Sequence, residues 1–210
     1  MSAAALAADP PFPVFAQTFN MTEACYQPAT ASGAPNYTRT MTWDNEQQRS
    51  LYHIVNHAQG IFELQLKRCD LATQVFWDVK GVTGADPSTY TCSKMTAPAG
   101  GTIAFCPMAP FWPRAPKTYT FNGTDVIDGV SCNRFDFNEG MGAQSFWATA
   151  TAPCRALVPQ QRTDYTSFDA TPPPASAFDG PAWLEGLKCT PVPLSPTLDA
   201  AWPGSQRLPF

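Results

Sequence analysis

The stretch VIDGVSCNRFDF, residues 126–137, brings an Asp, a Ser and a Cys within five positions and could supply a nucleophile. A cysteine nucleophile needs a base to form thiolate at neutral pH, and usually a helix N-terminus or a nearby cation as well. The two histidines of the chain, His53 and His57, belong to no signature for such a site. We therefore interpret Cys132 as structural and keep a hydrolase that uses Cys132 or Ser131 as a minor alternative.

The segment HIVNH places His53 and His57 four residues apart, which on a helix would provide two zinc ligands. The glutamate of an H-E-x-x-H motif is missing, and the segment alternates like a strand as readily as it fits a helix. Acidic side chains are scattered, and no D-x-[DN]-x-[DN]-G calcium loop occurs. The sequence therefore predicts no catalytic residues, no metal site and no cofactor.

Cysteines and glycosylation motifs indicate the compartment. The chain has seven cysteines, none in a C-x-x-C arrangement, and three Asn-x-Thr sequons at Asn20, Asn36 and Asn122. Glycosylation and disulfides both require an oxidising export route. We therefore predict a secreted or organelle-lumenal protein, glycosylated at these three positions, with three disulfides and one free thiol. The number of cysteines leaves their pairing open.

Charge and hydropathy exclude two classes of partner. Thirteen basic and 17 acidic residues give a net charge of −4, and no Lys/Arg run is available to neutralise phosphates, so we expect no nucleic-acid partner. No apolar run approaches the ~20 residues of a membrane span, so we expect no transmembrane segment. Residues 1–12 contain an A-x-A type site but no basic region, which suggests the remnant of a signal peptide or an extended arm.

Proline positions predict where the central strands lie. None of the 22 prolines falls between Asn36 and Asp86 or between Lys117 and Ala152, and proline cannot donate to a sheet ladder. Apolar and polar residues alternate in these blocks, and Asp128-Gly129 is a strong hairpin signal between two strand-like segments. Helical periodicity is poor throughout. The sequence therefore predicts an all-β protein with at most one or two short helices.

A proline-rich connector, GTIAFCPMAPFWPRAP, follows the first block. Its apolar residues are Ile103, Phe105, Met108, Phe111 and Trp112. If exposed, they would form a patch for a ligand, membrane or partner. If buried, they would form a lid over the sheet, which we favour because apolar loop residues are more often buried than displayed.

Four stretches, taken in order, resemble one family. They are TWDNEQQRSLYHIV (42–55), STYTCSK (88–94), VIDGVSCNRFDF (126–137) and QRTDYTSFDATPPPASAFDGPAWLEGLKC (161–189). They look like the opening hairpin, the middle Cys strand, the G-x-x-C-x-x-aromatic hairpin and the closing strand of eukaryotic secreted domains related to ependymin. These domains share a curved antiparallel sheet with bacterial lipoprotein carriers of the LolA type.

The resemblance covers residues 13–189 and has departures. Relatives often carry a D-x-x-T-G-x-P-x-R hairpin where this chain has WATATAPCRALVPQ, which keeps Pro153 and Arg155 around an inserted Cys154. Some relatives precede a papain-like peptidase, and no such module is present here. The resemblance therefore implies the domain and its fold, but not an inherited enzymatic role.

What the resemblance implies is a single, strongly curved antiparallel sheet, a half-barrel of about nine to eleven strands. It also implies a Cys92–Cys189 disulfide, because both cysteines fall in matching stretches. A concave apolar surface would hold a lipid or another hydrophobic ligand. The composition of residues 190–210, with five prolines and no pattern, separately predicts an extended C-terminal arm or a disordered end.

From these observations we expect a non-enzymatic, extracytoplasmic binding module for a hydrophobic small molecule or a protein partner. The alternative is a structural subunit of an extracellular or organelle-surface assembly that uses its Pro-rich ends as arms. The lid and terminal segments either fill the concave face completely or leave a gap of a few hundred Å³, about the size of a small-ligand site. The residues predicted to line that face and its lid are Met41, Trp43, Leu64, Leu66, Val75, Trp77, Phe105, Phe111 and Trp112.

Overall fold

A computed structural model describes residues 9–98, 101–103, 106–109, 111–112, 116–139 and 142–192. The strands are β1 (Thr18–Tyr26), β2 (Tyr37–Asp44), β3 (Arg49–Asn56), β4 (Ile61–Arg68), β5 (Val75–Val82), β6 (Thr91–Thr96), β7 (Thr120–Ile127), β8 (Val130–Glu139), β9 (Gly142–Ala148), β10 (Pro153–Val158), β11 (Gln161–Asp169) and β12 (Thr190–Pro191). Three short 3₁₀ turns, Pro87–Thr89, Ala175–Phe178 and Ala182–Gly186, are the only helical elements in this part of the chain. The predicted all-β class is confirmed, and the two-residue β12 brings the strand count to twelve.

All twelve strands belong to one open sheet in the order β12-β6-β5-β4-β3-β2-β1-β11-β10-β9-β8-β7. Neighbouring strands are antiparallel except for β12, which runs parallel to β6. Two meanders, β1 to β6 and β7 to β11, meet where β1 pairs with β11. The end strands β7 and β12 do not pair with each other, so the sheet does not close, as expected for a curved half-barrel.

The strands avoid proline in the way that the sequence predicts. Strands β2 to β5 and β7 to β9 lie inside the two proline-free blocks. Pro153 is the first residue of β10, where the register with β9 slips, and Pro191 lies in the edge strand β12. At both positions the sheet does not need a backbone N–H donor, which proline lacks. The predicted hairpin between β7 and β8 also forms, with positive φ of 49° at Asp128 and 81° at Gly129, the backbone of a primed two-residue turn.

Three disulfides join Cys69 to Cys106, Cys92 to Cys189 and Cys132 to Cys154, and Cys25 is a buried free thiol. The predicted count and the Cys92–Cys189 pairing are therefore confirmed. The Cys132–Cys154 disulfide links β8 to the start of β10. Cys132 is therefore not a free thiol, in agreement with its interpretation as a structural cysteine. Disulfides of this number are typical of oxidising compartments.

Cross-strand pairing assigns each side chain to one of two faces, because directly opposed residues point the same way. Met41 of β2 stands opposite Met21 of β1 and Tyr52 of β3. We call this side the connector face, because the connector between β6 and β7 packs on it. Leu64 of β4 stands opposite His53 of β3 and belongs to the other side, the C-terminal face, which the segment after β11 covers.

The main core lies on the connector face. Its buried residues are Phe15, Phe19, Met21, Met41, Trp112, Phe137, Phe146, Ala148, Ala156 and Tyr165. Partly buried Trp43 and Phe111 pack against them. This core therefore combines β1, β2 and the β8 to β11 half with the N-terminal segment and the connector.

A second core lies on the C-terminal face of β4 to β6. Its buried residues are Phe62, Leu64, Leu66, Val79, Cys92 and Leu184, with Trp77, Trp183 and Leu187 partly buried against them. The 3₁₀ turns after β11 supply Leu184 and Phe178, and Arg49 of β3 lies over the Phe178 ring at 4.5 Å. The Cys92–Cys189 bridge fastens this covering segment to the sheet.

One expectation is wrong: the six apolar strand residues do not share a face. Met41 and Trp43 point to the connector face, whereas Leu64, Leu66, Val75 and Trp77 point to the C-terminal face. A cavity lined by all six is excluded, because the sheet separates them. Five of the six belong to cores that also contain residues of the covering segments, and those segments fill the space above them. Phe76, out of phase in the sequence, belongs to a third cluster with Met95 and Ile103.

Candidate functional site

A cleft opens where the N-terminal segment lies against the connector. Its enclosed part is small, about 30 Å³, and the wider space of about 330 Å³ includes open solvent. The lining residues are Phe12, Pro13, Val14, Phe15, Gln17, Trp112 and Phe146. Aromatic rings and proline make the lining apolar, and Gln17 is its one polar side chain. A concave apolar surface with few polar groups is the usual form of a small-ligand site.

The connector is fixed to the sheet at several points, and these set the wall of the cleft. The Cys69–Cys106 disulfide ties it to the end of β4. The Met108 backbone N–H donates to Gln48 Oε1 at 2.5 Å, and the Ile103 N–H donates to Gln74 Oε1 at 2.9 Å. The connector therefore crosses the strand ends of one meander before it reaches Trp112.

Gln17 positions Trp112 within the cleft. Its amide donates to the Trp112 carbonyl and accepts from the Trp112 N–H, both at 3.3 Å. The ring lies 4.9 Å from Phe15 and 6.0 Å from Tyr165. The buried indole Nε1 of Trp112 has no hydrogen-bond partner among the residues that the structure describes. An unpaired buried donor of this kind is energetically costly.

Three of the predicted lid residues are buried, which confirms the lid interpretation over the exposed patch. Ile103, Met108 and Trp112 are all 6% exposed or less, and Phe111 is half-buried beside Trp43 at 5.2 Å. Phe105 lies outside the described residues. Of the nine predicted ligand-binding residues, Trp112 is in the cleft, whereas the six strand residues are divided between the two faces of the sheet.

The sequence interpretation missed the N-terminal half of the cleft. Phe12 was assigned to the predicted leader or arm, yet its ring packs 5.2 Å from Phe135 and 5.7 Å from Phe146. Ordered contacts thus begin before residue 13, and at the other end β12 continues the sheet past residue 189. The spacing of Phe12 and Phe15 around Pro13 was the available signal. Residues 1–8 and 193–210 lie outside the described part of the chain.

A buried ion pair lies on the connector face beneath this aromatic core. Glu23 of β1 and Arg39 of β2 are directly opposed and form a salt bridge, with side chains 0% and 5% exposed. Arg39 Nη1 also donates to the Tyr52 hydroxyl at 3.2 Å. The salt bridge joins Arg39 Nη2 to Glu23 Oε2, and Glu23 Oε1 has no hydrogen-bond partner among the described residues. Tyr165, opposed to Glu23 on β11, has an equally unpaired hydroxyl.

Burial dominates the acid–base properties of this group. It raises the pKa of the Glu23 carboxyl, and the charge of Arg39 opposes that shift. Burial also raises the pKa of Tyr52 to about 12, and it raises the pKa of Tyr165 well above its ordinary value. The Cys25 thiol has a pKa raised by burial too, which keeps it protonated and unreactive. The arrangement is structural in character, since no described group here is an activated nucleophile or base.

A second polar group lies on the same face of β4 and β5. Glu63 Oε1 accepts from Gln65 at 2.7 Å, and Lys80 Nζ lies 3.6 Å from Glu63 and 3.8 Å from Asp78. Burial, and then the neighbouring Glu63 charge, raise the pKa of Asp78 to about 6. Among the described residues, no group of three or more His, Cys, Asp or Glu is placed to hold a metal ion.

The two histidines lie on and just after β3, not on a helix. His53 packs on Phe62 at 5.6 Å, and burial lowers its pKa. His57 follows the strand, and its Nε2 lies 3.2 Å from the Thr38 hydroxyl. The two histidines therefore contact different residues, one on the sheet and one at a turn.

The three sequon asparagines occupy different positions. Asn20 is half-buried within β1, and Asn36 is half-buried before β2, where its Oδ1 accepts from the Gln27 N–H at 2.6 Å. Asn122 is exposed on the edge strand β7, and its Nδ2 donates to Asp136 Oδ2 at 2.7 Å.

Neither a protein-family model nor a curated protein matches this sequence. The resemblance to ependymin-related and LolA-like domains therefore stays a prediction based on the four motifs. Within the described residues, no helix is long and apolar enough to span a membrane.

Proposed function

We propose that the protein is a non-enzymatic, extracytoplasmic binding module that holds a lipid-like, hydrophobic ligand in the cleft between its N-terminal segment and connector. The observation that carries the proposal is the aromatic cleft itself, a concave apolar space beside the main core. The three disulfides and three sequons support export.

The lining supports a particular kind of ligand. Phe12, Phe15 and Phe146 offer ring faces and edges to an acyl chain or a flat hydrocarbon. With no charged residue in the lining, the site favours a neutral head or one that stays in solvent. We therefore expect an amphiphile that is bound at the sheet surface and not inside a closed barrel.

The experiment is a titration with the fluorescent apolar probe N-phenyl-1-naphthylamine, together with mass spectrometry of organic extracts from the purified protein. The test variant is Val14→Asp, because Val14 lines the cleft yet is 84% exposed, so a charge there leaves the core intact. The expected result is micromolar probe binding that weakens at least tenfold, since burying an unpaired carboxylate beside the probe costs more than about 1.4 kcal/mol.

The matched control is Val82→Asp, which introduces the same charge at an exposed valine of β5, and three strands separate β5 from β1. Probe affinity is expected to be unchanged in this variant. No probe binding by the wild-type protein, or an equal loss in both variants, would refute binding in the cleft.

The second candidate is a structural subunit of a larger assembly. One observation favours it: among the described strands β7 is an edge strand with no partner on its outer side, and the exposed residues Val126 and Val130 flank its hairpin turn. Such an edge can pair with a strand of a neighbour. Size-exclusion chromatography of native material distinguishes the two, because a carrier elutes as a monomer and a subunit in a large stoichiometric complex.

A further inference from the structure

The two edges of the sheet differ in whether another segment covers them. At one end, the edge of β6 is covered by β12, which the Cys92–Cys189 disulfide holds in place. At the other end, no strand in the described part of the chain pairs with the outer side of β7. Six of the eight β7 residues are exposed, and Val126 is 74% exposed. An open edge of this length with an apolar side chain invites pairing with another chain.

The sequon Asn122-Gly123-Thr124 lies in the middle of this open edge. Phe121 is opposed to Phe135 and Thr124 to Asn133, so Asn122 and Gly123 together face the single residue Arg134. This is a β-bulge, and the φ of +81° at Gly123 is the left-handed conformation that glycine adopts without strain. The bulge takes Asn122 out of the regular ladder and leaves it exposed at the edge.

The amide of Asn122 is already oriented for a substituent. Its Nδ2 donates one hydrogen to Asp136 Oδ2 at 2.7 Å, and Arg134 Nε holds the other Asp136 oxygen at 2.9 Å. An amide nitrogen has two hydrogens, and N-glycosylation replaces one of them. The second hydrogen can keep the bond to Asp136, so the amide can stay fixed when a sugar is attached.

The other two sequons lack this placement. Asn20 lies in β1 between β2 and β11, in the interior of the sheet. Asn36 lies beside the β1–β2 loop, tied to the Gln27 backbone. Asn122 alone among the three stands on a free edge.

We propose that Asn122 carries an N-linked glycan that shields the free edge of β7 from pairing with another strand. The inference rests on the extracytoplasmic location in the proposed function, because sequons are used only on that route. A hydrated, branched sugar at the bulge occupies the space where an added strand would lie. The bulge by itself disrupts pairing at only one position of the edge, and the glycan would block more of it.

The test expresses the full chain in eukaryotic cells behind a cleavable secretion signal and compares wild type, Asn122→Gln and Thr124→Ser, which keeps the sequon. Glycosidase release in heavy-oxygen water, followed by peptide mass spectrometry, separates a glycan at Asn122 from spontaneous deamidation of the Asn-Gly pair. Size-exclusion chromatography with light scattering then measures association. Wild type and Thr124→Ser are expected to be glycosylated and monomeric. Asn122→Gln and the enzymatically deglycosylated protein are expected to shift to dimers or larger species as concentration rises.

A further variant tests whether β7 is the associating surface. Adding Val126→Lys to Asn122→Gln places a charge on the same edge and is expected to restore the monomer. The proposal is overturned if protein exported with its disulfides formed lacks a glycan at Asn122, or if both deglycosylated forms stay monomeric. Either result leaves ligand binding in the cleft standing, because that is measured separately with Val14→Asp. Failure of export itself would overturn the proposed location.

Discussion

The buried ion pair of Glu23 and Arg39 allows a quantitative prediction. Removing one partner leaves the other charge buried and unpaired, which costs about 3–5 kcal/mol. The side chains are 0% and 5% exposed, so solvent screening does not reduce this penalty. We therefore expect Arg39→Met to lower the free energy of unfolding by about 3–5 kcal/mol at neutral pH, a shift of about 6–20 °C in melting temperature for a chain of this size.

Three further variants complete the experiment. Glu23→Leu is expected to destabilise by a similar amount, since it leaves the Arg39 guanidinium unpaired. The double variant, with both changes, is expected to lie within about 1 kcal/mol of wild type or above it, because a well-packed apolar pair avoids the desolvation penalty. Thr40→Met is the control, since Thr40 is exposed on the other face of the same strand, and it should change stability by about 0.5 kcal/mol or less.

The pH dependence of Arg39→Met gives a second readout. Burial already raises the pKa of Glu23 above its ordinary value of 4.5, and without Arg39 the pKa rises further. The folded state then holds this proton more tightly than the unfolded state, so stability is greatest below pH 4.5 and falls as pH rises. Urea unfolding followed by tryptophan fluorescence at several pH values measures both effects. Single variants that each cost less than about 1 kcal/mol at neutral pH, the range of exposed pairs, would refute the reasoning.

Two other predictions concern the disulfide and the second polar group. Replacing Cys92 and Cys189 together by Ser removes a bridge across 97 residues, and the unfolding free energy under non-reducing conditions should drop by about 4–5 kcal/mol in the chain-entropy model; a drop below about 1 kcal/mol would show that the covering segment packs without it. Asp78, with its pKa raised to about 6, should contribute stability that is full below pH 3.8 and lost as pH rises through about 6. Asp78→Asn should remove this slope from the urea midpoint, and an unchanged slope would assign it to another group.

The positions of the central strands and of one hairpin were predictable because they depend on local chemistry. Proline-free blocks marked β2 to β5 and β7 to β9, since proline lacks the N–H that a central strand needs. Asp128-Gly129 marked the hairpin, since a primed turn needs positive φ. The Cys92–Cys189 bridge followed from the resemblance of its two flanking stretches and not from spacing. The buried connector followed from the number of its apolar residues.

Which face of the sheet the apolar residues of each strand occupy, relative to the next strand, was not predictable. Alternation shows that Leu64 and Leu66 share a face, and that Met41 and Trp43 share a face, but it does not relate one pair to the other. A one-residue change of register moves all the side chains of a strand to the opposite side. The register of β2, β3 and β4 placed the two pairs on opposite faces. The prediction of a common cavity failed for this reason.

The sequence by itself determined the class of fold, the proline-free blocks that hold the central strands, the hairpin and the number of disulfides, because each depends on residues near one another or on composition. Only the tertiary structure decided which apolar residues meet, that Glu23 and Arg39 form a buried pair, and that Phe12 and Phe15 build a cleft with Trp112. The residues of each such contact lie on different strands or segments. Their proximity depends on register and on the path of the covering segments, since a sheet buries whatever side chains its pairing brings to the same face.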